Sequence, residues 1–237
     1  MKQIIPGLFT FTSLLIGRVY AIEDPDGLTI IDASMTAAAP KILRQIQEGG
    51  RAGSVRRIII THAHPDHVQG LPELKRVTGA EVIASYVERP YVEGKLPVPT
   101  PPKEALRGLD RLMASPPKTM PGTPVDREVG DGDMIAEAFG GLRVIFTPGH
   151  SPGHISLWQP EKRVLITGDV MMHPPLFGLR LPFAAFTTDM DENRRSVKRV
   201  AALKPEVVCF GHGKPLLKDA ASMLEAFAGK VTPGSQD

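Results

Sequence analysis

Four short stretches of this chain share one design, an apolar run that stops directly at histidine or aspartate. They are IIITHAHPDH (58–67), VIFTPGH (144–150), VLITGD (164–169) and VVCFGH (207–212). Strands that end on one edge of a sheet bring their first loop residues together, so segments distant in sequence can share a site on a rigid scaffold. The pattern therefore demands a strand-rich fold with converging strand ends. Five of the seven histidines (62, 64, 67, 150 and 212) occupy these positions; His154 follows His150 by four residues and His173 follows Asp169 by four. A lone histidine is ordinarily a hydrogen-bonded core or surface residue, and Gly-Asp alone is common turn chemistry. Recurrence at four equivalent places points instead to metal ligation. If His62 and His64 continue their strand, alternation sends both imidazoles to the same side, while Asp66 and His67 fall at the start of the next helix and face a neighbouring position. One loop thus offers half-shells for two cations.

Strands and helices alternate along the rest of the chain. Residues 8–14 and 18–23 read as strands, with DPDG (24–27) turning the chain into a third at 28–32. Thr36 is placed to cap a helix carrying Ile42, Leu43 and Ile46, ended by Gly49-Gly50, and a further helix is expected over 66–78, closed by Gly79. Strands follow at 80–87, 142–147, 155–159, 164–168 and 206–210, with helices over 191–203 and about 216–228. Residues 89–128 differ: nine prolines surround a single helical pattern of Leu106, Leu109, Leu112 and Met113. So few core positions read as an insertion or lid rather than a separate domain. The expected organisation is one domain over 1–230 and a flexible tail over 231–237.

Composition excludes several classes. Lys and Arg total 28 against 26 for Asp and Glu, so a net charge of +2 gives no broad attraction to nucleic acid or anionic membrane. No window approaches 18 continuous apolar residues, and Pro6-Gly7 with Arg18 breaks the N-terminal run that would otherwise resemble a secretory signal. One cysteine, Cys209, rules out an internal disulfide and fits a reducing compartment, so a cytoplasmic location is expected.

The His-x-His-x-Asp-His stretch at 62–67, with His150, Asp169 and His212 after intervals of 83, 19 and 43 residues, resembles the metallo-β-lactamase superfamily. The likeness extends from about residue 4 to 218 and sits closest to the branch of glyoxalase II-like thioesterases and lactonases. It implies an α+β (α/β) fold, the four-layer αββα sandwich, with the site along one edge of two sheets. By the same resemblance His62, His64 and His150 would hold a first metal, Asp66, His67 and His212 a second, and Asp169 would bridge them. Asp32 would orient a ligand histidine, and His154 would be structural. Zinc suits five histidines and two aspartates, as do manganese, iron and cobalt.

The resemblance implies a dinuclear metal-dependent hydrolase in which a metal-bridging hydroxide attacks a carboxylic ester, lactone or thioester, with Asp66 passing a proton to the leaving group. The TGD bridge departs from true β-lactamases, and GDVMMHPPLFGLRLPF lacks the Gly-Cys-Gly-Arg-type segment of glutathione thioesterases. His64 departs from the flavodiiron redox relatives, which carry glutamate there. Phosphodiester or phosphotriester hydrolysis, and a non-hydrolytic redox role, remain as alternatives. The substrate is expected to be a small molecule with an apolar part. Phe177, Phe183 and Phe186 would line an apolar mouth, and Tyr86 and His173 would offer polar contacts. The same apolar segment could equally be core or a homodimer contact.

Overall fold

The computed structural model describes residues 1–49, 55–114, 116 and 118–231. The first half of the chain builds a seven-stranded sheet in sequential order: β1 (Lys2–Ile5), β2 (Leu8–Thr10), β3 (Tyr20–Asp24), β4 (Gly27–Ile31), β5 (Val55–Ile60), β6 (Glu81–Ser85) and β7 (Arg127–Val129). The strands run antiparallel from β1 to β4 and parallel from β4 to β7. Each parallel step needs a crossover. Those crossovers contain α1 (Ala39–Glu48), then α2 (Pro65–Val68) with α3 (Leu71–Thr78), then α4 (Arg89–Val92) with α5 (Gly108–Met113). The second half forms a five-stranded sheet from β8 (Met134–Ile135), β9 (Leu142–Phe146), β10 (Ile155–Gln159), β11 (Val164–Ile166) and β12 (Val207–Cys209), in the order β12-β11-β10-β9-β8. Only β11 and β12 are parallel, and α6 (Met190–Ala201) lies in their connection; α7 (Ala220–Lys230) follows.

Side-chain alternation explains the layering. On β5, Ile58 and Ile60 pack with Ile42, Ile46, Leu71 and Leu74 of the helices, while Ile59 between them joins Ile31, Leu157 and Ile166 in the space between the sheets. On β11, Leu165 packs with Val197, Val200 and Leu224 of α6 and α7, while Val164 and Ile166 face the first sheet. Three apolar clusters thus separate four layers, α, β, β and α, as expected. Strands buried on both faces read as unbroken apolar runs, which is why IIIT and VLIT carry no polar alternation.

Several boundaries differ from the sequence reading. The helix expected over 66–78 is two helices meeting at Gly70, where a Cβ would collide with the Ala33 carbonyl. The α2–α3 junction is stitched to the chain leaving β4 by Ala33 N–H to His67 O and Gly70 N–H to Ser34 O. Thr36 opens a short 3-10 turn and caps nothing; α1 begins at Ala39. The strand expected to reach Leu14 stops at Thr10, and β1, β7 and β8 went unanticipated because strands of two to four residues show no periodicity. In α5, Leu109 and Leu112 are 70% and 83% exposed, so this apolar pattern is not a core face. Val231 is buried against the α7 cluster rather than loose; the rest of the expected tail, 232–237, and Gly50 lie outside the described residues. Among the described residues, no helix is long and apolar enough to cross a membrane.

Candidate metal centre

The loops leaving β5, β9, β11 and β12 meet at one edge of the two sheets. His62 Nε2 lies 3.1 Å from His64 Nδ1, which lies 2.8 Å from His150 Nε2. The outer nitrogens of these rings are all engaged. Thr61 Oγ1 donates its single proton to Asp32 and so accepts from His62 Nδ1 at 3.1 Å. His64 Nε2 donates to the Pro99 carbonyl at 3.2 Å. Thr187 Oγ1 donates to Phe183 O and accepts from His150 Nδ1 at 3.2 Å. With a proton on every outer nitrogen, three inner lone pairs face one another across about a hydrogen-bond length, an arrangement that a shared cation relieves. Burial, reinforced by neighbouring imidazoles, holds His62 and His150 well below the ordinary histidine value, so both are neutral bases.

The second group is Asp66, His67 and His212. His67 Nδ1 donates to Asp32 Oδ2 at 2.8 Å, leaving Nε2 buried with no hydrogen-bond partner among the described residues. Nε2 instead looks toward Asp169 Oδ2 at 3.5 Å and Asp66 Oδ2 at 3.7 Å, and His212 Nε2 meets Asp66 Oδ2 at 3.0 Å. Burial opposes charge on His67 and His212, but Asp169 and its fellow carboxylates prevail; His67 rises well above the ordinary value and His212 is pushed up to about 9. Positive charge is what this half of the site attracts.

Asp169 joins the halves. Its Oδ2 lies 3.6 Å from His150 Nε2, 3.5 Å from His67 Nε2 and 3.1 Å from His212 Nε2, while Oδ1 is buried with no hydrogen bond. Burial alone would raise this carboxyl, yet the adjacent His67 and His212 hold it well below the carboxylate range. His154 supports it from behind: Nε2 accepts from the Asp169 backbone N–H at 2.9 Å and Nδ1 meets Thr147 Oγ1 at 2.8 Å. Gly211 closes the floor, since a Cβ there would fall on Asp169 Oδ1 and His67 Cε1. Two orphaned polar atoms, three facing lone pairs and two histidine-aspartate triads whose donor atoms lie within 4.8 Å of one another fit divalent cations.

Asp32 sits where the sequence suggested, but it does more than orient one ring. It accepts from the Thr61 backbone and hydroxyl and from His67, and it does so from a left-handed backbone at φ 64°. Aspartate tolerates that conformation better than most residues, and such strain commonly marks functional sites.

The metallo-beta-lactamase superfamily model matches residues 13–212. The chain belongs to the metallo-beta-lactamase superfamily. It is 31% identical to the probable metallo-hydrolase YflN of Bacillus subtilis, over 92% of this chain and 88% of that protein. It is 28% identical to a hydroxyacylglutathione hydrolase of Cereibacter sphaeroides over 83% of this chain, which spans 60% of that longer relative. A metallo-beta-lactamase family protein from Thermus thermophilus shares the fold, with a TM-score of 0.70 at 22% identity, covering 96% of this chain and 80% of that one. The chain is therefore a metallo-hydrolase-type member of that superfamily.

The expected substrate contacts fare unevenly. The turn Ala184–Phe186 carries Thr187 against His150, so the backbone of the half-exposed Phe183 and Phe186 passes beside the site, and their rings meet each other at 6.5 Å. Phe177 instead lies under the Arg180 guanidinium, 5.6 Å from its ring centre, at the far end of a small loop bridged by Met172 and Arg180. His173 spends Nδ1 on the Lys214 carbonyl at 2.8 Å and pairs its backbone N–H with His212 O, so it braces the His212 loop. Tyr86 packs its ring 5.6 Å from Phe146 and is brought to none of the ligand groups by any described contact. Sequence reasoning missed Thr187, the Pro99 carbonyl and Glu88. No local motif signals them, because each acts through a partner 35 or more residues away or, for Glu88, through two loops at once.

Proposed function

We propose that this protein is a dinuclear metallohydrolase, most naturally loaded with zinc, that cleaves a carboxylic ester, lactone or thioester bearing an apolar group. The single observation that carries the reading is Asp169 Oδ2 standing between His150 on one side and His67 and His212 on the other. Divalent cations, when bound, lower the pKa of water from about 15.7 toward about 7 and polarise a carbonyl oxygen. The chain's own residues supply the rest. Asp66 is the part-exposed carboxylate of the site, and its carboxyl lies below the ordinary value because His67 and His212 outweigh the upward push of burial. An ionised Asp66 is ready to take a proton from the attacking water and return it to the leaving alkoxide or thiolate.

The rim supports an apolar substrate. Leu15 and Ile16, 91% and 53% exposed, are held beside Asp66 by the Ile16 carbonyl bond to Ser34 and the tight fit of Gly17 against the Asp66 backbone. The turn that carries Phe183 and Phe186 lies on the His150 side, and Asp110 ties it to α5 with its exposed Leu109 and Leu112. The hydroxyacylglutathione hydrolase relatives favour the thioester within this substrate set.

The test is a panel of chromogenic esters, lactones, thioesters and phosphoesters of graded acyl length, run on metal-loaded protein and on Asp66→Asn. The expected outcome is turnover of a carboxylic acyl series with KM falling as the chain lengthens, and a loss of about 10²-fold or more in kcat on Asp66→Asn, as for a positioned acid–base group. Selective phosphoester turnover, or full kcat in Asp66→Asn with its metal retained, would reject the assignment.

A further inference from the structure

The turn after β6 buries one carboxylate that lies outside both histidine-aspartate groups. Glu88 is 0% exposed, and it receives three hydrogen bonds from two loops. Its Oε2 accepts from the Ala63 backbone N–H at 2.8 Å; its Oε1 accepts from Ser151 Oγ at 2.7 Å and from the Gly153 N–H at 2.8 Å. Ala63 stands between His62 and His64, and Ser151 directly follows His150. The carboxylate is therefore a clasp between the two loops that carry the first histidine trio. Ser85 locks the clasp from the side, its hydroxyl donating to the Gly153 carbonyl at 2.6 Å and accepting from the Glu88 N–H at 3.1 Å. Gly153 fits flush against this turn, where a Cβ would lie 2.5 Å from Val87 Cβ and 2.8 Å from Glu88 N.

We infer that Glu88 is a positioning residue whose two oxygens fix the separation of the His62/His64 loop from the His150 loop, and so tune the affinity of that trio for a divalent cation. The inference rests on the metal reading above. A buried carboxylate carries a large desolvation penalty, and a neutral side chain of equal size would spare it. The donors show what the charge is for: all three are loop groups whose placement decides where the imidazoles stand. A metal site tolerates only about 0.2 Å of error in ligand distance. Glu88→Gln keeps the shape but turns an NH2 group toward either the Ala63 N–H or the Ser151/Gly153 pair, so one loop must retreat.

The test compares wild type, Glu88→Gln and Ser151→Ala, each stripped by chelator and reloaded with Zn(II) or Co(II). Stepwise affinities from chelator competition, the Co(II) absorption spectrum, the Tm of the apo-protein and amide hydrogen exchange at Ala63 and Gly153 are read for each. Glu88→Gln is expected to weaken one metal equivalent by about 10–100-fold, the usual effect of removing a group that orients ligands. The other equivalent keeps its affinity, the Co(II) bands of the trio shift, and kcat falls with little change in KM. Ser151→Ala moves the same equivalent in the same direction by less, and it serves as the readout if Glu88→Gln does not fold. Wild-type affinities and Co(II) spectrum in both variants, with only apo-protein Tm lowered, would overturn the inference and leave Glu88 structural. A wild-type chain that takes up no metal overturns the metal reading alone; unchanged exchange at Ala63 and Gly153 in the variants then overturns the clasp, and faster exchange at both supports it.

Discussion

The two halves of the site are made of similar residues in different surroundings. His62, His64 and His150 are at most 6% exposed, uncharged, and each held through its outer nitrogen by the protein. Asp66 and His212 have side chains 21% and 28% exposed and are governed by carboxylate charge, with only His67 anchored from behind by Asp32. The first half is a rigid cage of neutral donors, whereas the second is a charged edge that is part-exposed to solvent. Preorganised donors lose little on binding a cation, so the difference predicts unequal affinities: the trio is the tight site and the Asp66 side the exchangeable one.

The comparison breaks most directly at its two extremes. His150→Ala should abolish the tight equivalent and lower activity on the order of 10³-fold or more, because water loses the cation that lowers its pKa from about 15.7 toward about 7. His212→Ala should keep the tight equivalent and lose only the weaker one. Metal content after dialysis distinguishes them, and equal losses in both variants would erase the distinction between cage and edge.

A smaller effect is expected at the shared support. Asp32→Asn preserves a residue tolerant of φ 64° yet can no longer accept from both Thr61 and His67. An amide NH2 facing His67 Nδ1 reverses the tautomer and blocks Nε2, so metal affinity on the Asp66 side should fall about 10–100-fold with a modest change in Tm. An NMR assignment of the His67 tautomer provides the direct check.

The smallest effect lies away from the metals, in the proline-rich segment that reaches His64 through Pro99. Glu93 fastens this segment: the Lys95 ammonium, the Val125 N–H and Arg89 hold its carboxyl down, from 4.5 to about 2. A depressed value means that the stabilisation is fully present above pH 4.5 and is lost as pH falls toward about 2. The ion pairs are solvent-screened, so the effect should be slight. Thermal unfolding of wild type should lose its advantage over Glu93→Gln across that acid window, and parallel Tm curves would show that the segment is anchored by packing of Val92 and Val125 alone.

How much was legible depends on how locally each feature is encoded. Strand-end histidines and aspartates announced themselves, because a strand's last residue and its loop are contiguous, and all seven converge. The four layers were implied by the family resemblance; the continuous apolar runs agree with strands buried on both faces but do not fix a topology. Short strands were hidden: β8 is Met134–Ile135, too brief for any period, and is defined only by pairing with β9. The break at Gly70 was hidden because its cause, the Ala33 carbonyl, is 37 residues away. The partners of Tyr86 and His173, the Phe146 ring and the Lys214 carbonyl, were hidden for a related reason. Proximity to a motif in sequence says where a backbone passes, but not which way a side chain turns.

Residue order alone determined which side chains could bind metal, that they would leave strands at a common edge, and the superfamily to which the chain belongs. Only the folded arrangement decided the hydrogen-bond partner of each imidazole, the role of Asp32 toward two loops, and the nearness of Thr187, Pro99 and Glu88. The division has a physical cause. Periodicity and strand ends are short-range properties of a chain, whereas tautomers and ligand spacing are set by hydrogen bonds between segments that meet only when the sheets have packed.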